Sequence, residues 1–417
     1  METIVFDEEK PLSSGDLDLL RNHAAKVFGL LEQKIHDDLE NKVPHPDPWV
    51  GSPPSESAFR KRFFDQHGFW VARGFCDAEE ASKMKQAMGK SVENHWFPEG
   101  TTSDQEEKQP QEKITSFGTD AKSNESRGDP FLESADKVSY FAEPTALDPE
   151  SGSLKPEFCE KSKKLLALNK AGHGLHLPPS FRNSDSTEPD VHQPFFEYTS
   201  SPKLWELVSS LGYQDPVVPQ SMYIFKNPIV GGPVHSHQDS TFLYTTPRQT
   251  CLGLWLALDD ATLHNGCLWV RPGSQKEPVR RQFLRNPKHQ INKEEPKLTF
   301  QIHDENPNVT WEGSYPKSVA VESLGDEKKE ESTEVSSMNF VPVEVKAGDL
   351  VVFGGALDHF SLPNFSEEQR HTFQLHLVEG PNAGIEWSPS NWLQYEAKET
   401  KDKGFLRLLD YVSEEKS

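Results

Sequence analysis

Cysteine is scarce in this 417-residue sequence: Cys76, Cys159, Cys251 and Cys267 stand far apart, with no C-x-x-C pair among them. That spacing offers neither a disulfide framework nor a zinc ribbon and reads as free thiols in a reducing compartment. No run of about eighteen apolar residues exists, so no membrane span is expected. The opening Met1-Glu2-Thr3-Ile4 lacks a basic-then-apolar leader, and the closing Glu415-Lys416-Ser417 is not a Ser-Lys-Leu address; a cytoplasmic location is expected. Positive charge is in deficit too. With 44 Lys and Arg against 66 Asp and Glu, the net charge of −22 repels phosphate backbones, and no nucleic-acid partner is expected. G-x-G-x-x-G and G-x-x-x-x-G-K-[ST] are both missing, which removes the dinucleotide and P-loop readings.

What is present divides into ordered and polar stretches. Ser13 to Leu39 reads as an amphipathic helix: Ser13 and Asp16 have capping-box spacing, and Leu20, Val27, Leu31, Ile35 and Leu39 fall near one face. Such a helix either packs on the main domain or serves as a dimerisation arm, so the oligomeric state stays open. Residues 1–43 thus form a helical extension and 44–58 a Pro-rich linker, with the main domain over 59–398 and a charged tail over 399–417. Two polar insertions interrupt that domain at 101–128 and 322–338, and a weaker one lies around Asn183 to Asp190.

Between the insertions the pattern is β-like. A strand at Phe69-Trp70-Val71 and a helix from Asp77 to Met88 lead in. Short apolar or alternating runs follow at Pro216–Phe225, Thr241–Thr245, Cys251–Leu258, Cys267–Val270, Leu298–Ile302, Val341–Val345, Leu350–Gly354 and Thr372–Val378. Turn signals such as Pro272-Gly273-Ser274 separate them. The expected fold is mainly β with flanking helices, built on a double-stranded β-helix (jelly roll) core.

His237-Gln238-Asp239 sits among these runs. In a strand, residues i and i+2 share a face, so an imidazole and a carboxylate point the same way. A distant His359 completes a two-His-one-carboxylate triad, the donor set that suits non-haem iron and leaves half its positions open. Spacing alone is weak: His36–Asp38 and His45–Asp47 repeat the tripeptide in a helical stretch and a Pro-rich linker, where neither scaffold would hold a metal. Arg370, at the head of an alternating run, supplies a planar fork suited to a carboxylate. From residues alone the pattern stays open between an iron site and ordinary polar residues at a barrel edge.

Longer motifs decide further. Gln220-Ser221-Met222-Tyr223-Ile224-Phe225-Lys226, His237-Gln238-Asp239-Ser240-Thr241-Phe242-Leu243-Tyr244, Leu254-Trp255-Leu256-Ala257-Leu258-Asp259-Asp260, Asn265-Gly266-Cys267-Leu268-Trp269 and Trp387-Ser388-Pro389 together resemble the phytanoyl-CoA dioxygenase family. The resemblance implies Fe(II) held by His237, Asp239 and His359, 2-oxoglutarate as co-substrate and O₂ as oxidant. It further implies 2-oxoglutarate contacts from Lys137, Met222, Gln238, Trp255, Ser361 and Arg370. Taken without it, Met222 and Trp255 read as core, Lys137 as an exposed cation and Ser361 as a turn residue. Family members of this kind decarboxylate 2-oxoglutarate to succinate while hydroxylating a substrate. Asp239 favours hydroxylation, because related halogenases carry a small residue there.

The substrate is read only as small or lipid-like. Arg271, Lys276, Arg280, Arg281, Arg285 and Lys288 form a local cluster that either meets an anionic substrate or is a solvated loop balanced by acids. Two other classes compete. A cupin would use His235 and His237 but normally adds a Glu that is missing over 238–245. A non-catalytic 2-oxoglutarate- or metal-binding or interaction protein on the same fold would keep the barrel without the reaction.

Overall fold

The computed structural model describes residues 2–7, 9–41, 56–96, 129–178, 191–304, 309, 313–321, 340–395 and 404–414. The polar insertions at 101–128, 183–190 and 322–338, and nearly all of the Pro-rich linker, lie outside the described residues. The chain opens with β1 (Glu2–Val5), α1 (Ser14–Asn41), α2 (Glu56–His67), β2 (Phe69–Ala72) and α3 (Ala78–Trp96). It continues through β3 (Val138–Ala142), β4 (Leu168–His173), α4 (Gln193–Thr199) and α5 (Pro202–Ser210). The strands β5 (Pro216–Lys226), β6 (Val234–His237), β7 (Leu252–Ala257), β8 (Leu268–Val270), β9 (Arg281–Arg285) and β10 (Leu298–Ile302) follow. Then come β11 (Ser318–Val321), β12 (Val341–Val343), β13 (Leu350–Gly354), β14 (His359–Ser361), β15 (Arg370–Glu379) and α6 (Leu408–Glu414).

Two antiparallel sheets form the jelly roll. The larger has seven strands in the order β2-β13-β7-β15-β5-β4-β3, and the smaller four in the order β12-β8-β14-β6. Period-2 alternation decides what each face of the larger sheet meets. Leu252, Leu254 and Leu256 on β7, Leu350 and Val352 on β13, and Phe373, Leu375 and Leu377 on β15 pack in one core with Met84 and Met88 of α3 and Leu204 and Leu207 of α5. The intervening residues, Trp255 on β7, Val351 and Phe353 on β13, join a second core with Trp269 of β8 and Phe360 of β14 from the smaller sheet. That second face also carries the polar residues of β15 at alternate positions, from Arg370 to His376. Its interior therefore holds charge as well as apolar bulk.

The N-terminal helix packs on the main domain. Ser13 and Asp16 cap it reciprocally: Asp16 N donates to Ser13 Oγ at 3.1 Å, and Ser13 N to Asp16 Oδ2 at 3.3 Å. Leu20, Val27, Leu31 and Ile35 enter the second core, and Arg21 grips Glu344 with two hydrogen bonds of 2.9 and 3.2 Å. Alternation alone missed several elements, β1 and α6 among them. Residues 2–5 form an edge strand paired antiparallel with β11, and Phe6 just beyond it meets Trp269 edge-on with ring centroids 5.2 Å apart. The tail expected to be merely charged contains α6, whose Leu408 and Tyr411 are buried in the first core. Thr241–Thr245, expected as a strand, is replaced by a 3₁₀ turn at Asp239–Thr241 and a two-residue strand at Thr245–Thr246. Among the described residues no helix is long and apolar enough to cross a membrane.

Burial also sets the response to acid. It pushes His67 down to about 4 and His176 to about 3. An unfolded histidine titrates near about 6.5, so below that pH the unfolded chain takes up protons that the folded chain refuses. Stability is expected to fall as the pH drops from about 6.5 to about 4. Urea unfolding should need less denaturant at pH 5 than at pH 7, with a smaller drop in His67→Gln.

Candidate metal and co-substrate site

A cavity of about 340 Å³ opens between the two sheets. His237 ends β6 and His359 begins β14, and the antiparallel pairing of these strands sets them directly opposite each other. Their ring centroids are 4.3 Å apart. Extended backbone continues through Gln238, after which Asp239 starts the 3₁₀ turn and swings its carboxylate in beside both rings. Asp239 Oδ1 lies 3.3 Å from His237 Nε2 and 3.6 Å from His359 Nε2. One donor atom from each residue lies within 4.8 Å of the others.

The hydrogen bonds fix the tautomers. His237 Nδ1 donates to the His235 carbonyl at 2.7 Å, and His359 Nδ1 donates to the Leu357 carbonyl at 3.0 Å. Each ring therefore offers the bare Nε2 lone pair to the common centre, as a metal requires. Burial, with the neighbouring His237, pushes His359 down to about 4, keeping it neutral at ordinary pH. Burial alone would raise the Asp239 carboxyl, but its surroundings, His376 foremost, more than offset it and hold it well below the usual carboxylate range. Two imidazole nitrogens and one carboxylate on a shared centre fit a divalent iron ion with open positions.

Two strand positions along β15 separate Gln374 from His376, and two more separate Thr372 from Arg370. Arg370 is almost wholly buried, with its guanidinium carbon 5.2 Å from the Trp255 ring centroid. Burial lowers its pKa to about 10. Among the described residues no carboxylate pairs with it, and its Nε has no hydrogen-bond partner. A buried fork of this kind is costly unless an anion completes it. Ser361 and Met222 line the same cavity.

Met222, Trp255, Ser361 and Arg370 therefore meet around one space with the triad. Lys137 and Gln238 are not among the residues lining that cavity. Lys137 is exposed at the head of β3, and its carbonyl accepts from His173 and Gly174. Gln238 faces away because it sits between two inward residues on extended backbone. Its amide donates to the Ala356 and Pro278 carbonyls at 3.0 and 3.3 Å and accepts from Arg280 N at 3.1 Å, bracing the ligand loop from behind.

Other site residues went unread. Lys170 is buried with Nζ 3.1 Å from His173 Nε2 and 3.2 Å from Met222 Sδ. Lys226 Nζ donates to Ser361 Oγ at 2.8 Å. Burial, with Arg370 beside it, drives the Lys226 amine well below its ordinary pKa. Gln374 and His376 share Arg370's face by simple alternation, a signal the sequence did carry.

The expected basic cluster resolves differently. Arg271 donates to Asp358 at 3.0 and 2.5 Å and to Glu277 at 2.7 Å, and Arg280 also binds Asp358. These cations clamp the residue preceding His359 rather than facing solvent. Arg281 lies over the Phe300 ring at 4.3 Å, and Arg285 donates to the Trp392 carbonyl.

Compared with known proteins, residues 64–372 match the family model described as Phytanoyl-CoA dioxygenase. The stretch contains all three metal donors and Arg370, and leaves α1 and α6 outside. The chain is 37% identical over 337 residues to "Phytanoyl-CoA dioxygenase domain-containing protein 1" of Mus musculus, covering 79% of this chain and 92% of the relative. It is 35% identical over 334 residues to "Phytanoyl-CoA dioxygenase 1" of Oryza sativa subsp. japonica, covering 80% and 92%. These shares leave about a fifth of this chain, and less than a tenth of either relative, outside the match.

Asp358 is fully buried between two guanidinium groups. Removing its charge in Asp358→Ala should cost about 3–5 kcal/mol, because it strands buried cations. Urea unfolding of the metal-free protein measures this directly, and Asp358→Asn should lose less.

Proposed function

The chain belongs to the phytanoyl-CoA dioxygenase family, and from that premise we propose that it is an Fe(II)- and 2-oxoglutarate-dependent dioxygenase that hydroxylates a small or lipid-like substrate with release of succinate and CO₂. The carrying observation is the His237–Asp239–His359 centre facing the same cavity as the unpaired, buried Arg370.

His237, Asp239 and His359 would hold the iron on one face. Bound iron, together with 2-oxoglutarate and O₂, supplies the oxidising power for attack on a C–H bond. Arg370 and Ser361 bind the far carboxylate of 2-oxoglutarate, the guanidinium giving a fixed two-point geometry. Lys226 holds the Ser361 hydroxyl in place. Met222 and Trp255 form apolar walls for the carbon chain between the charged ends. Beyond the triad, Phe131, Phe242, Leu243 and Trp392 line the cavity with apolar surface. That surface excludes water from the reacting region and suits an apolar part of the substrate.

Incubation with Fe(II), 2-oxoglutarate, ascorbate and air should release succinate, and Asp239→Ala should abolish the release. Persistent succinate in that variant would refute the assignment. Because some such enzymes turn over only with substrate present, calorimetry with Mn(II) and 2-oxoglutarate gives a second reading. Arg370→Met should weaken 2-oxoglutarate binding by roughly 10- to 100-fold, the loss of hydrogen bonds to a charged group. Absence of 2-oxoglutarate binding to the wild-type chain would favour a non-catalytic role.

A further inference from the structure

We infer that His376 is a positioning residue for the metal centre, fastening the outer oxygen of Asp239 so that Oδ1 alone turns to the metal. This inference rests on the metal-centre reading above and adds a residue to it.

The two oxygens of Asp239 have different surroundings. Oδ1 faces His237 Nε2 and His359 Nε2 at 3.3 and 3.6 Å, whereas Oδ2 lies 3.1 Å from His376 Nε2. An ionised carboxylate only accepts, so His376 must carry its proton on Nε2 and donate it to Oδ2. The other side of the ring agrees. His376 Nδ1 lies 3.3 Å from Gln220 Nε2, an amide placed to donate to it when the ring proton sits on Nε2.

Room for this arrangement comes from Gly253, which stands opposite His376 in the ladder between β7 and β15. A Cβ at Gly253 would come within 3.1 Å of Asp239 Oδ2 and 2.6 Å of the Phe353 ring. Bare backbone on one strand and an imidazole on the next thus form a seat for Oδ2. A carboxylate held in this way gives the metal one oxygen rather than two. The sites it does not take stay available for co-substrate and oxidant. His376 acts through Asp239, and among the described residues it is not part of the group His237, Asp239 and His359 that could share a metal.

The test uses the full chain freed of metal by chelation, with Co(II) as the probe. Affinity is read by calorimetry and coordination by visible absorption, without reference to turnover. His376→Ala should weaken Co(II) binding about 10- to 100-fold and alter the absorption bands. His376→Gln, whose Nε2 amide reaches the same oxygen, should recover most of the affinity and the wild-type bands. Equal affinity and bands in wild type and His376→Ala would overturn the inference. So would a Gln variant as weak as Ala, because ring bulk or direct ligation would then be the cause. If the Ala variant fails to fold, the Gln variant decides alone: near wild-type binding supports the role, and lost binding rejects it. A wild-type chain that binds no Co(II) would sink the metal centre itself and this inference with it.

Discussion

The pairing of β6 with β14 is the constraint on which the site depends. It sets His237 against His359, and a slip of one residue in either strand would turn one imidazole out of the cavity. Several independent devices hold that register. β14 is also paired with β8, where Phe360 faces Trp269 across the ladder and their rings stack 5.5 Å apart. Asp358, one residue before the ligand, is clamped by Arg271 and Arg280 and donates its own backbone N–H to Ser274 Oγ at 2.9 Å. The Pro272-Gly273-Ser274 turn, visible in the sequence as punctuation, therefore secures a metal ligand.

Much of this was legible from residue order because two periodicities were clean. Leu252, Leu254 and Leu256 alternate with Gly253, Trp255 and Ala257 as a two-sided buried strand should, and α1 shows one apolar face with a capping pair at its start. The triad was legible as an i, i+2 pair plus a distant His. Gln238 was assigned on family likeness, whereas the same rule turns a residue between two inward neighbours outward, where its amide meets the Ala356 and Pro278 carbonyls. Lys137 was chosen on family likeness without a register to check it, while Lys170, buried beside Met222, carried no apolar pattern to mark it as interior. β1 and α6 were missed for a different reason. Such short segments gain their order from distant partners, β11 for one and the first core for the other.

Charge distribution inside the barrel separates this fold from a purely apolar sandwich. Arg370, Lys226 and Lys170 are all buried near one cavity, and Glu143, raised to about 7 by its burial, lines it as well. Such groups weaken an empty core. Their cost becomes useful when anionic and metallic occupants complete them, which makes the interior selective for what it encloses.

The larger sheet has a temporal consequence for the nascent chain. β2 bonds to β13, and β1 bonds to β11, so each of these strands finds its partner only after the long intervening stretch has emerged. β15, central in the same sheet and bearing Arg370 and His376, arrives later still. Contacts this distant in sequence make assembly slow and leave apolar strands exposed meanwhile. The ligand set therefore closes only once β6 and β14, far apart in sequence, have paired.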